Sequence, residues 1–188
     1  MIKIGITGSI ASGKTSASKI LSYKKGPLFS ADQEVKNFYK NSDFKKLLIK
    51  ELNIKKTPNV KSLLKKKILA NKKNLKKLEK IIHPMVRIKM KKFFSLYKKR
   101  KIVFCEIPLL IESKLMKYFD IIIFIKAKKK IRLERFIRNG GNKKLFTLLN
   151  NKQLTDQKKI KFSDHVVVNE KNFKFLKKNL LGIINLYV

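Results

Sequence analysis

The sequence predicts an α/β fold: a parallel sheet of five short strands covered by helices. Three observations carry this reading. A glycine-rich turn, Gly8-Ser9-Ile10-Ala11-Ser12-Gly13-Lys14-Thr15, separates an alternating apolar segment from a breaker-free helical one. Two continuous apolar runs, Lys101-Ile102-Val103-Phe104-Cys105 and Asp120-Ile121 through Ile125, have the length and make-up of strands buried on both faces. Between residues 41 and 100 strand periodicity vanishes and only helical spacing is found, so a helical block of about sixty residues interrupts the alternation.

The elements follow in order. Ile2-Lys3-Ile4-Gly5-Ile6-Thr7 alternates as a strand does, and Thr15 to Leu21 opens the first helix. Gly26-Pro27 marks a turn, and Leu28-Phe29 begins a short second strand that ends at Ser30-Ala31-Asp32. A helix follows through Val35 and Phe38. Phe44, Leu47, Leu48 and Leu52, then Leu64 and Ile68, then Leu75, Leu78 and Ile82 fall at helical steps, punctuated by Pro58 and Pro84. Pro84 is expected to open the next helix, whose apolar face runs over Val86, Met90, Phe93, Phe94 and Tyr97.

A short helix is expected between the two buried strands. Lys128 to Arg138 is helical, with arginines at 132, 135 and 138, and Gly140-Gly141 breaks it. A second short helix carries Leu145, Leu148 and Leu149. His165-Val166-Val167-Val168 reads as the last strand, and Phe173 to Ile184 as the closing helix. The expected division is a core over 1–33, 101–137 and 164–188, a helical insertion over 34–100 that binds substrate, and a mobile lid over 138–163.

Strand, glycine turn and helix in that order make a phosphate site. Gly8 and Gly13 allow backbone angles closed to other residues, so successive N–H groups can turn toward an anion. The helix that begins at Lys14 adds its positive end, and the Lys14 ammonium reaches the outer phosphates of a nucleoside triphosphate. The Thr15 hydroxyl is placed to ligate Mg²⁺. Asp32, at the carboxyl end of a strand, suits a ligand-facing carboxylate and equally a helix N-cap. Of the three arginines, Arg132 and Arg135 read as solvated helix-face charges, and Arg138 beside the Gly-Gly break as the one that reaches a phosphate. His83, just before Pro84, marks a helix boundary or a ligand contact.

Composition bounds the rest. The chain has 188 residues and a formal net charge of +36, from 48 basic and 12 acidic side chains. Arginine occurs only at positions 87, 100, 132, 135 and 138, and the lysines are spread over every predicted helix rather than gathered in one arm. Diffuse lysine charge argues for weak, salt-sensitive attraction to polyanions and against a specific nucleic-acid partner. In so acid-poor a chain each carboxylate in a suggestive place carries more information. The one cysteine, Cys105, lies in an apolar strand, where a buried inert thiol is expected. No apolar run reaches membrane-spanning length, and the chain enters a strand at once with no leader pattern. No membrane partner, a cytoplasmic setting and a monomer are expected.

With these pieces placed, the chain resembles the dephospho-coenzyme A kinase family of the P-loop nucleoside-monophosphate-kinase-like group, nearly end to end. Thr7 through Thr15 is similar to that family's T-G-G-I-G-S-G-K-S/T loop, Ser30-Ala31-Asp32 to its D-A-D, and His83-Pro84 to its H-P. Ile107-Pro108-Leu109-Leu110-Ile111-Glu112-Ser113 is similar to its I-P-L-L-F-E segment. Gln153-Leu154 through Lys159 to Ser163-Asp164 and Asn169 keeps the spacing of its last block. Ser9 and Ala11 stand where the family's loop has glycine, Ser30 where it has Asp, and the helix before Arg138 is one residue short.

The resemblance implies a three-layer P-loop kinase fold, and transfer of the ATP γ-phosphate to the 3′-hydroxyl of the dephospho-coenzyme A ribose with Mg²⁺. It implies that Gly8, Ala11, Ser12, Gly13, Lys14, Thr15, Ser16 and Asn169 hold ATP. It implies substrate contacts from Asp32, His83, Pro108, Leu109 and Glu112, with Asp32, Lys14 and Arg138 acting in catalysis.

Overall fold

The computed structural model describes residues 1–54, 63–64, 67 and 71–187 of the chain. Pro58 and Ile68, cited above for the helical block, lie outside the described residues. The elements are β1 (Ile2–Gly8), α1 (Lys14–Ser22), β2 (Leu28–Ser30), α2 (Ala31–Phe38), α3 (Ser42–Leu52), α4 (Lys72–Leu96), β3 (Ile102–Glu106) and β4 (Ile121–Lys126). They continue with α5 (Lys129–Arg138), α6 (Lys143–Asn150), α7 (Asp156–Ile160), β5 (His165–Val168) and α8 (Phe173–Ile184). The short helix expected between β3 and β4 is one 3₁₀ turn, Met116–Tyr118.

All five strands are parallel, in the order β2-β3-β1-β4-β5. β1 is therefore central, with β3 on one side and β4 on the other, and the turn that leaves its carboxyl end opens where the strand order reverses. That is the position at which open α/β sheets bind ligands. Alternation in β1 sends Ile4 and Ile6 to one face, where they are fully buried with Ile102, Phe104, Ile121, Ile123 and Ile125. Ala17 and Leu21 of α1 and Leu176, Leu180 and Ile184 of α8 close over that face. Each of these leucine and isoleucine side chains contributes roughly 1.5–3 kcal/mol on burial, which fixes α1, and hence the loop before it, on the sheet. On the other face Gly5 leaves no room for a side chain: a Cβ there would sit 2.7 Å from Leu110 Cδ1 and 3.0 Å from Phe119 Cγ. Cys105 is wholly buried, and burial pushes its thiol far above the usual range, so it is the inert core residue expected.

The chain forms two compact units, Met1–Ser30 with Phe94–Val188, and Ala31–Phe93. In the second, Asn41 caps α3, its side-chain oxygen accepting from the backbone N–H groups of Asp43 (2.8 Å) and Phe44 (3.1 Å). Phe44, Leu48 and Leu52 of α3 are buried, whereas Leu47 is exposed.

Two expectations here are corrected. Pro84 does not open a helix, and His83 is not at a boundary: both lie inside α4, a 25-residue helix. Leu78, Val86 and Met90 are buried in an i, i+4 pattern that continues across the proline, while Pro84 and Lys80 are exposed. Pro84 removes the helical donor to the Lys80 carbonyl, and the buried stripe carries the helix through. Asp32 is not an N-cap either. α2 begins at Ala31 and takes Asp32 into its first turn, where a carboxylate is favoured by the helix dipole instead.

Candidate active site

The loop between β1 and α1 is shaped by close approaches. A Cβ on Gly8 would meet the Ile125 carbonyl oxygen at 2.5 Å and Ser12 Oγ at 2.7 Å. Gly13 has φ +96° and stands against the Asn169 amide, 2.2 Å from where a Cβ would be. Asn169, expected to touch the nucleotide, holds the loop itself: its Nδ2 donates to the Ser12 carbonyl at 2.9 Å. Ala11 takes φ +57° without being glycine. A left-handed L-residue costs roughly 1–2 kcal/mol, and the extra unfolded-state freedom of glycine offsets part of that. Ala11→Gly is therefore expected to leave the thermal midpoint unchanged or raised by a few degrees, with activity retained; a clear fall in the midpoint would contradict the strain at this position.

No side chain caps α1 and no acid lies in its first turn, so its positive end is left to an anion. Ser12 Oγ is buried there without a hydrogen-bond partner. Both features fit a phosphate group. Lys14 is the first residue of α1, as expected, and is only 8% exposed. Its ammonium donates to the Ser9 carbonyl at 3.0 Å, spanning the loop. Thr15 and Ser16 are exposed at the helix start.

Behind the loop stands a carboxylate that reading by motif missed. Glu106, the last residue of β3, is 2% exposed. Its Oε1 accepts from Thr15 Oγ1 at 2.5 Å, and its Oε2 accepts from Ser18 Oγ at 3.3 Å and Ser30 Oγ at 3.4 Å. The signal was available: an acid at a strand's carboxyl end in an acid-poor chain is the criterion that picked out Asp32. Among the described residues no group of three or more His, Cys, Asp or Glu could hold a metal ion. An all-oxygen pair, Thr15 with Glu106, suits Mg²⁺, which takes one or two protein oxygens and completes its shell from phosphates and water.

The arginines are redistributed. Arg132 is 5% exposed, not solvated. Its Nε donates to the Ala127 carbonyl (3.1 Å), its Nη1 to the Ile10 carbonyl (3.3 Å) and to Asn150 Oδ1 (2.9 Å), and its guanidinium lies over the Phe146 ring. Burial lowers its pKa, partly countered by Asp156. Arg135 Nη1 reaches the Ser12 carbonyl at 3.5 Å. Arg138 is exposed at the end of α5. At about 100° per residue Arg135 stands about 60° from Arg132 around the helix, but Arg138 about 120° away, so the loop meets the first two.

Of the other expected residues, Pro108 offers its carbonyl to Thr7 Oγ1 at 3.2 Å, which joins the segment after β3 to the end of β1. Leu109 is half-buried beside it. Glu112 is engaged within the protein: its Oε1 pairs with Lys159 Nζ at 2.7 Å and accepts from the Leu154 N–H at 3.1 Å. Asp32 and His83 belong to the second unit.

A central parallel strand, an anion-binding loop at its carboxyl end and a buried carboxylate bonded to the loop's threonine define a P-loop kinase of the α/β class. The chain belongs to the dephospho-CoA kinase family, whose model matches residues 2–174. The dephospho-CoA kinase of Bartonella quintana is 36% identical over 186 residues, 96% of this chain and 95% of that protein. A crystal structure of a Thermus thermophilus protein superposes with a TM-score of 0.80 at 25% identity, over 100% of this chain and 98% of the other. The dephospho-CoA kinase of Campylobacter jejuni shares the fold with a TM-score of 0.68 at 21% identity, over 97% and 95%. The fold and kinase class expected from the loop and strands thus hold, and the family is the one the motifs resemble.

Proposed function

We propose that this protein transfers the γ-phosphate of ATP to the 3′-hydroxyl of the dephospho-CoA ribose, giving coenzyme A and ADP. The observation that carries this reading is the loop with its uncapped helix start and the Thr15–Glu106 pair, in a chain of this family. In this account the loop from Gly8 through Ala11, Ser12, Gly13, Lys14, Thr15 and Ser16 cradles the triphosphate. Lys14 exchanges its bond to the Ser9 carbonyl for phosphate oxygens and spreads the charge of the transferring group. Thr15 and Glu106 would hold Mg²⁺, which supplies charge neutralisation on the phosphates when bound.

Asp32 accepts the proton of the ribose hydroxyl as the new O–P bond forms and the bond from the γ-phosphorus to the bridging oxygen of ADP breaks. Arg135, rather than the exposed Arg138, stands where it can neutralise charge at the loop. His83, Pro108 and Leu109 are assigned to the acceptor. Glu112, committed to Lys159, serves it through shape rather than as a free charge. The insertion over 34–100 is read as the coenzyme A-binding part and 138–163 as the lid, in a cytoplasmic monomer with no specific nucleic-acid partner. Among the described residues no helix is long and apolar enough to cross a membrane.

The test is ADP release measured with several acceptors across a salt series. Dephospho-CoA is expected to stimulate release strongly, AMP hardly, and DNA or RNA hardly at physiological salt. Polyanion binding itself should fall steeply with salt, because it rests on counterion release by scattered lysines. Stimulation by nucleic acid with none by dephospho-CoA would overturn the proposal.

A further inference from the structure

The outer arm of the loop, Ser9-Ile10, is gripped by residues 150–156, within the span read above as the lid but given no part there in the chemical step. Ser9 is 3% exposed, and its hydroxyl donates to Asp156 Oδ1 at 2.5 Å. The Ile10 N–H donates to Gln153 Oε1 at 2.9 Å, and the Ile10 carbonyl accepts from Arg132. Arg132 in turn donates to Asn150 of the same segment. That segment is anchored on its far side, where Glu112 takes the Leu154 N–H and the ammonium of the fully buried Lys159. The inner arm is held separately, by Asn169 on the Ser12 carbonyl. Ala11, in its left-handed conformation, sits between the two grips. A strained residue persists where its surroundings over-determine it, and releasing one grip lets the loop relax away from the anion-binding shape.

We propose that Asp156 and Gln153 are positioning residues for the nucleotide: through Ser9 and Ile10 they hold the phosphate loop in its binding shape before ATP arrives. The inference rests on the reading of the loop as the ATP site. Preorganisation of this kind acts on affinity more than on the chemical step, since a loop that must be ordered on binding binds more weakly.

Steady-state kinetics of Ser9→Ala, Asp156→Ala and Asp156→Asn, together with equilibrium binding of ATP to each, test it. Ser9→Ala and Asp156→Ala are each expected to raise KM and Kd for ATP about tenfold, the order of one hydrogen bond to a charged group. KM for dephospho-CoA and kcat should stay within about threefold. Asp156→Asn keeps an acceptor oxygen and should recover most of the ATP affinity. The Ser9→Ala/Asp156→Ala double variant should be no worse than either single one, because both remove the same bond. A merely structural role would lower the thermal midpoint and the active fraction but leave the ratio of the two KM values unmoved. ATP affinity within twofold of the parent in Ser9→Ala would overturn the proposal, as would multiplying effects in the double variant. If Asp156→Ala does not fold, Ser9→Ala decides alone, since it removes one hydroxyl. Failure of the parent protein to bind ATP would instead fell the functional reading beneath it.

Discussion

Lys14→Ala is expected to abolish measurable phosphoryl transfer, a loss on the order of a thousandfold or more. Removing one preorganised charge-stabilising donor costs roughly 10²–10³ in turnover, and Lys14 supplies a full positive charge beside the loop. The cost to folding is separate and small. The ammonium makes a 3.0 Å bond to the Ser9 carbonyl from a largely buried position, so its loss removes about 1 kcal/mol, or about 1–3 kcal/mol if that carbonyl is left unsatisfied. A fall of a few degrees in the thermal midpoint is therefore expected beside the loss of activity. Turnover near the parent's in a folded Lys14→Ala protein would remove Lys14 from the chemistry.

Asp32→Asn is the second large effect. As a proton acceptor, Asp32 is worth about a hundredfold or more, since general base catalysis contributes typically 10²–10⁴. Its structural value is less. Asp32 lies in the first turn of α2, where its charge favours the helix by about 0.3–1 kcal/mol, and asparagine forfeits only that. Turnover should collapse with little change in stability, and the rate lost should not return at high acceptor concentration, because a missing base lowers kcat rather than affinity. A variant with the parent's kcat and a slightly lower midpoint would leave Asp32 as a helix-dipole residue. The proton acceptor would then have to be sought elsewhere, and Glu106 is a poor substitute with three hydroxyl groups already bonded to it.

What could be read from the sequence was what depends on short spacing. Gly8 to Thr15 is local in the chain, and two glycines between a strand and a helix mark it, although Asp156, Gln153 and Asn169, far away in the chain, hold its shape. The strands around it were legible because a sheet buried on both faces requires continuous apolar runs, and the closing helix runs from Phe173 to Ile184 as its periodicity indicates. What was not legible depends on partners far away in the chain. Glu106 becomes a site residue only once β3 lies beside β1 and brings it to Thr15, 91 positions away. Helical spacing places Arg132 and Arg135 on one side, but only the fold shows that this side meets the loop. Pro84 misled because its effect on a helix is local whereas the stripe that overrides it, Leu78 to Val86 to Met90, is held by packing. Glu112 fits the family segment by position, yet its carboxylate is paired with Lys159, 47 residues further on, so the match identified the residue without its immediate partner.

The central claim is that this chain moves the γ-phosphate of ATP onto one particular hydroxyl. It is tested most directly by following that phosphate. The protein is incubated with Mg²⁺, dephospho-CoA and ATP labelled in its γ-phosphate, and the label is located in the products by mass spectrometry and phosphorus NMR. The label is expected in coenzyme A as a 3′-phosphomonoester on the ribose, with one ADP formed for each coenzyme A. Label recovered only as inorganic phosphate, or attached to any other position, would contradict the claim.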